Sequence, residues 1–568
     1  MKSLKYIFIA AALISTVACE DFLKEEGYHD ITGATLATTE AGMESMINSC
    51  YSCLRLWYGK EESVLLTEVG TDTYTGGDAH VSSGFTYYNA SLSSQIDQLD
   101  TYWKYFYVSL NIVNSTLEWI PESPLSEDKK NIREGEVKFL RALFLWHITE
   151  IWGEAHFSTS SVKEKQTTAN RTPVETFYKQ IFEDLEFAEK YIPEDNDNGE
   201  YGRVNLWAVR AMLARMHLYR KNYAEAFRYA NMLIEDKSEF SLAPSAAELW
   251  DIDNTTRTNN KEIIWSTIYS SQGEVLNYAI PETESQDGSY WPSRTGNNLH
   301  MDFLMYYQAL TLNGGTPVLR SLEYGRAFVR FMPNLFLLDL YHEDIDERFN
   351  STFRSLYLCN NEYSGGPVIG DTAILLSKYV IPKEFKDSKD YLIFDRTVYD
   401  TITGEPDGAR MNFISLIKFE DPTRNDLQDQ FSGRDVFVFR MAEMYLIAAE
   451  AKMYTDGAAA AYPYLLDLAN NRSYGNDGEA LLNSYGVNSS GAGIDIDFIL
   501  DERAREFAGE FIRFFDLKRT DKLIERVRLH NPDAAPNIQE YHRVRPIPQT
   551  QLDAVTNKSE FVQNPGYN

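Results

Sequence analysis

Apolar residues recur at spacings of three and four through 41–58, 97–119, 131–152, 173–191, 205–221 and 223–235, which is the period of an amphipathic helix. Stripes of this kind are buried most readily against one another, so the first half of the chain is expected to fold as a series of helical hairpins. The pair at 205–235 fits the tetratricopeptide pattern. Ala214 and Ala226 lie twelve apart, as do the small residues where the two helices of a repeat touch, and Tyr223 and Ala230 also match. A second pair at 440–469 sets Ala449 and Ala461 at the same spacing, although the Trp and closing Pro of the consensus are missing from both.

Between about 240 and 433 the periodicity gives way to short strand-like runs, aromatic clusters and turns such as Gln286-Asp287-Gly288-Ser289 and Ser364-Gly365-Gly366-Pro367. The expected fold is therefore mainly α. Tetratricopeptide-like helical hairpins (about 30–238 and 434–528) form a scaffold for an irregular, loop-rich lobe with short strands (about 240–433), and a C-terminal tail spans 529–568. Loops carried on a rigid scaffold are where binding residues concentrate.

The N-terminus reads as an export segment. Lys2 and Lys5 precede an apolar run from Tyr6 to Ala18, shorter than the roughly 20 residues that span a bilayer. Thr16-Val17-Ala18-Cys19 resembles the lipobox of bacterial lipoproteins, although Thr16 stands where Leu is commonest. Residues 1–18 would then be a lipoprotein signal peptide and Cys19 the lipidated start of a single mature domain, 19–568; an ordinary signal peptide is the alternative. Glu20, Asp21, Glu25 and Glu26 follow, a run that resembles the signal for outer-leaflet export in Bacteroidetes and otherwise reads as a solvated charge run.

With Cys19 set aside, Cys50, Cys53 and Cys359 remain, an odd number that argues against a disulfide framework. Cys50 and Cys53 form a C-x-x-C with no second pair to complete a zinc site, and are expected to be buried small residues. A net charge of -30 disfavours nucleic acid as a partner. The chain has no G-x-S-x-G, no phosphate loop with Lys and no H-E-x-x-H, and its 84 acidic residues hide any glycosidase carboxylate pair from view. Asp195-Asn196-Asp197-Asn198-Gly199 lacks the Gly and Glu positions of an EF-hand and reads as a polar turn. No enzyme activity, cofactor or metal is expected.

Several segments resemble one family in chain order. Cys19-Glu20-Asp21-Phe22-Leu23 resembles the mature start of SusD/RagB lipoproteins. Glu136 to Trp146, followed by Trp152-Gly153, resembles the family helix E-x-x-F-L-R-A near a W-G turn. Arg440 to Ala451 is similar to R-x-A-E-x-Y-L-I-x-A-E-A, and Asp501 to Arg519 to E-R-x-x-E-F-x-G-E-x-x-R-x-x-D-L-x-R. Pro546-Ile547-Pro548 and Gln563-Asn564-Pro565-Gly566-Tyr567 close the chain as these proteins close. Glu502, Arg503, Glu506, Glu510, Arg513 and Asp516 recur at helical spacings that suit charge pairing between helices, and are expected to be structural.

The resemblance implies a cell-surface lipoprotein on the outer membrane that binds an oligosaccharide or glycan and delivers it to a SusC-like TonB-dependent transporter. Peptide uptake, a ligand-free tetratricopeptide scaffold and a surface glycosidase are the alternatives. The 13% aromatic content supplies flat faces that suit sugar rings. Two aromatic, turn-rich stretches, 72–89 and 285–298, are expected to hold the ligand through Asp72, Tyr74, Tyr87, Asn89, Tyr290, Trp291 and Arg294. This transfer is by region, since neither stretch carries a fixed motif.

Overall fold

The computed structural model describes residues 33–80, 83–196, 202–271, 296–400 and 409–567. Residues 1–18, Cys19, most of the 285–298 stretch and the Asp197 to Gly199 turn lie outside them. The amphipathic stretches fold as α1 (Glu40–Ser52), α2 (Glu61–Thr67), α3 (Asp97–Trp119), α4 (Glu127–Trp152), α5 (Val174–Tyr191), α6 (Leu206–Tyr219) and α7 (Tyr223–Glu235). Helix α4 begins earlier than its apolar period because Ser126 caps it, accepting from the Lys129 N–H, and Glu127 and Asp128 sit in its first turn. It stops at Gly153, whose φ of 72° ends the helical path.

Helices α6 and α7 form one hairpin; α8 (Met441–Asp456) and α9 (Ala458–Asn470) form the other, and α7 packs on α8. Ala214, Ala226, Ala449 and Ala461 are all 0% exposed, as close helix contact through small residues requires. The hairpins meet where the Tyr223 and Tyr454 rings stack, centroids 4.3 Å apart. Cys50 in α1 and Cys53 just after it are buried free thiols, and Cys50 Sγ lies 3.3 Å from Thr116 Oγ1 of α3. Burial pushes the Cys53 thiol up to about 12, the property of an inert packing residue.

Short strands appear where the helical period fails. Strand β1 (Tyr74–Gly76), β2 (Ile263–Thr267), β3 (Phe331–Pro333), β4 (Leu356–Leu358), β5 (Thr372–Leu376), β6 (Leu392–Phe394) and β7 (Val436–Arg440) form small sheets. The pairs β1·β3 and β2·β7 are antiparallel, and β4-β5-β6 is a three-stranded mixed sheet. The β1·β3 ladder, Tyr74 opposite Pro333 and Gly76 opposite Phe331, joins the helical first half to the lobe. The β2·β7 ladder carries the chain from the lobe straight into α8.

The charged motif residues form an internal network. In helices α10 (Ile496–Glu506), α11 (Arg513–Arg519) and α12 (Leu523–His530), Glu502, Arg503, Glu506, Arg513, Asp516 and Arg526 are buried. Glu506 takes Arg440 at 2.6 Å, Arg348 at 3.0 Å and Arg472 at 3.1 Å, while Arg503 holds Asp516 at 2.6 Å. Three arginine charges outweigh the burial that would raise the Glu506 carboxyl and hold it well below the usual range. Glu136 of α4 accepts from Arg203 and Tyr51. These carboxylates are consumed in holding helices together.

Candidate functional site

Two adjoining clefts of about 450 Å³ and 440 Å³ open beside the β1·β3 ladder and share Phe328 and Arg330. The first is walled by Lys60, Glu61 and Glu62 at the start of α2, Tyr105 of α3, and Asn298 and Gln430. The second is walled by Asp78, Ala79, Tyr306, Gln308, Arg320, Arg326 and Met411. Together they form one open groove with three half-buried rings, Tyr105, Tyr306 and Phe328, set among amide, guanidinium and carboxylate groups. Flat apolar faces flanked by planar hydrogen-bonding groups suit a sugar ring, whose faces are apolar and whose rim is hydroxyl.

The shared wall is held in a costly conformation. Val329, between Phe328 and Arg330, has a φ of 55°, a region a β-branched residue rarely occupies. The neighbouring backbone over-determines it. Phe328 N–H donates to Met301 O at 3.0 Å, Arg330 N–H to Asp302 O at 2.9 Å, and Val329 O accepts from Ala79 N–H at 3.3 Å. Gly77 is needed for this contact, because a Cβ there would lie 2.4 Å from Val329 O. The turn directs the 72–89 stretch and the 328–330 segment to one wall.

Charge in the first cleft is internally matched. Glu61 meets His80 Nε2 at 2.6 Å and Arg330 Nε at 3.0 Å. Although burial raises its carboxyl, these two partners prevail and lower it. Glu62 accepts from the Tyr102 hydroxyl at 3.3 Å. Behind the wall the Asp302 carboxyl is fully buried with neither oxygen hydrogen-bonded. Burial and then the Glu61 charge push it well above the carboxylate range.

The residues expected to bind ligand are dispersed. Asp72 is 0% exposed and pairs with Arg513 and Arg526, so it is a structural ion, not a ligand contact. Tyr74 is 0% exposed in β1, edge-on to Phe303, and is likewise core. Tyr74 is interior because every residue of β1 is covered, and Asp72, two residues before the strand, because it is enclosed with Arg513 and Arg526, placements that the residue types alone do not reveal. Tyr87 is half-buried, and its hydroxyl accepts from Arg410 Nη2 at 3.3 Å. Asn89 is exposed but turns its Oδ1 back on the Ser91 N–H. Tyr290, Trp291 and Arg294 lie outside the described residues. From the two stretches the structure brings Asp78, Ala79 and Asn298 into the groove. Tyr306, Gln308, Arg320, Arg326, Phe328 and Arg330 were not anticipated. The signal available was the Asn313-Gly314-Gly315 turn, followed by arginines at 320, 326 and 330 with aromatics interleaved.

Among the described residues no helix is long and apolar enough to cross a membrane. A tetratricopeptide-like helical scaffold thus carries an open, ring-lined groove beside a loop-rich lobe. A model described as the SusD family matches residues 261–567, and one described as starch-binding, associating with outer membrane, matches 21–218. The chain belongs to the SusD family. It is 26% identical over 583 residues to SusD-like protein P25 of Formosa agariphila, covering 99% of this chain and 98% of that one. Over 186 residues it is 26% identical to the starch-binding protein SusD of Bacteroides thetaiotaomicron, 31% of this chain and 32% of that one. A laminarin-binding SusD-like protein superposes with a TM-score of 0.63 at 20% identity, covering 93% of this chain and 100% of its own. Surface glycan-binding protein A from B. thetaiotaomicron, in complex with laminarihexaose, superposes with a TM-score of 0.64 at 17% identity, with the same coverage.

Proposed function

We propose that this chain is a cell-surface lipoprotein, anchored through Cys19 to the outer membrane, that binds an oligosaccharide or glycan and passes it to a SusC-like TonB-dependent transporter. The observation that carries the reading is the groove in which Tyr105, Tyr306 and Phe328 stand among Glu62, Asn298, Gln308 and Gln430. Rings would stack on the faces of successive sugars and the amides would take their hydroxyls. Family relatives named for binding starch and laminarin support it. Binding and not hydrolysis is the assigned role, so the glycan leaves the groove unchanged. Transport is assigned to the partner channel; among the described residues no helix is long and apolar enough to cross a membrane.

The test is retention of polysaccharides, oligosaccharides and peptides by the purified mature chain, with product analysis after incubation. A glycan held intact, and released when Phe328 and Tyr306 are replaced by Ala, supports the proposal. Retention of peptides alone, or shortening of the glycan, overturns it.

A further inference from the structure

The second cleft differs from the first in having unmatched positive charge. Arg320 Nε donates to Gln308 Oε1 at 3.1 Å and its Nη1 to Gln428 Oε1 at 2.8 Å, while Arg326 Nη1 donates to Gln428 O at 2.6 Å. Every one of these acceptors is neutral. Among the described residues neither guanidinium pairs with a carboxylate, whereas Arg330, at the junction with the first cleft, is neutralised by Glu61. Asp78 lines the same cleft, yet forms no ion pair with either arginine among the described residues. Two cations gathered on one glutamine therefore face the cavity with their charge uncompensated.

The two are left without a carboxylate although the chain carries 84 acidic against 54 basic residues. Like charges side by side cost free energy unless a third, opposite group joins them. Both are also held in place: Arg320 by its two glutamine acceptors, and Arg326 by Gln428 O and by the Phe328 ring, whose centroid lies 5.0 Å from its guanidinium carbon, which leaves less side-chain freedom to lose on binding.

We infer that the Arg320–Arg326 end of the groove receives a negatively charged substituent on the sugar, a carboxylate or a sulfate, so that the glycan is an acidic polysaccharide. The inference rests on the reading of this groove as the glycan site and names the class of glycan. The geometry fits such a group: a planar or tetrahedral oxyanion takes paired N–H donors from two guanidiniums, and charge-assisted bonds of this kind are about twice as strong as neutral ones. A neutral sugar would meet the same donors with hydroxyls and leave both charges uncompensated. The net negative charge of the chain does not prevent capture, since charges beyond about 8 Å are screened at physiological salt.

The experiment is calorimetric titration of the full mature chain with two matched pairs of probes. One pair is an oligogalacturonate and its carboxyl-reduced counterpart, and the other is a sulfated galactan oligosaccharide and its desulfated counterpart. At least one acidic probe is expected to bind about tenfold or more tightly than its neutral twin, with a preference that shrinks as salt is raised. The pair that shows the preference identifies the oxyanion. In the double variant Arg320→Gln/Arg326→Gln, with unchanged thermal melting, that ratio should fall towards one. A wild-type protein that prefers neither acidic probe, or a double variant with an undiminished ratio, overturns the inference. Phe328→Ala separates the two claims: neutral-probe binding that depends on Phe328 without any acidic preference keeps the groove and removes the acidic glycan. Acidic binding that survives Phe328→Ala but not the arginine changes counts against the ring-lined groove and for the arginine pair.

Discussion

Arg513 grips both oxygens of the Asp72 carboxylate, Nε to Oδ1 at 2.7 Å and Nη2 to Oδ2 at 2.6 Å, across 441 residues of chain. Arg526 adds a third bond at 2.8 Å. The pair ties the segment between α2 and β1 to α11 and α12, so residues near the two ends of the chain share one buried charge site. Burial would raise the carboxyl, but the two guanidiniums outweigh it and hold it down at about 2.

Asp72→Asn should therefore cost about 3–5 kcal/mol, because it leaves buried guanidinium charge without its carboxylate. The linkage sign follows from the lowered value. The stabilisation is present above the unfolded pKa of about 3.9 and is lost as pH falls through that value to about 2. Denaturation of wild type and variant at neutral pH measures the difference; a loss under about 1 kcal/mol would contradict the structural role.

Glu68 titrates in the opposite sense. It is fully buried, and its Oε1 accepts from the backbone N–H of Ile512 at 3.0 Å and of Arg513 at 3.2 Å. Burial pushes its carboxyl up to about 8, against those bonds. The folded state then retains a proton that the unfolded state releases above about pH 4.3, so stability falls as pH rises from there to about 8. Glu68→Gln keeps an acceptor and abolishes the titration. Its urea midpoint should decline less than wild type across that window, and parallel pH profiles would exclude Glu68 as the source.

At the groove, a ring stacked on a sugar contributes about 1 kcal/mol. Phe328→Ala and Tyr306→Ala should each weaken glycan binding by about tenfold or less. Both rings are half-buried at the surface of the lobe, so the melting temperature should move little. Titration of the folded double variant with the cognate glycan checks this, and wild-type affinity would move the site elsewhere.

Ala226→Leu should destabilise the α6–α7 hairpin by about 1–3 kcal/mol, since Ala226 is 0% exposed and the added atoms meet a filled contact. Ala461→Leu should do the same to α8–α9. Chemical denaturation of each variant reads the effect, and neutral outcomes at both would show that the helices do not touch there.

Cys19→Ala should yield an exported chain without lipid. Metabolic labelling with a fatty acid reports it, and label incorporated into the variant would place the anchor on another residue.

The helices were legible because burial of an apolar stripe writes itself into the sequence every three to four residues, and the close contacts at Ala214, Ala226, Ala449 and Ala461 demand small side chains at fixed spacing. The charged motif from Asp501 to Arg519 was legible as structure for the same reason, its spacing matching helix faces that had to pair. The groove was not. Asp72 and Tyr74 have the chemistry of a ligand site, and only the β1·β3 ladder and the distant arginines of α11 and α12 decide that they are interior. Phe328, Arg330, Arg320 and Tyr306 carry no period, because loop residues answer to long-range contacts and not to their neighbours. What puts them beside Asp78 and Asn298 is the clamped turn at Val329 and the backbone bonds that cross from Ala79 and Met301, pairings that exist only once the chain has closed on itself.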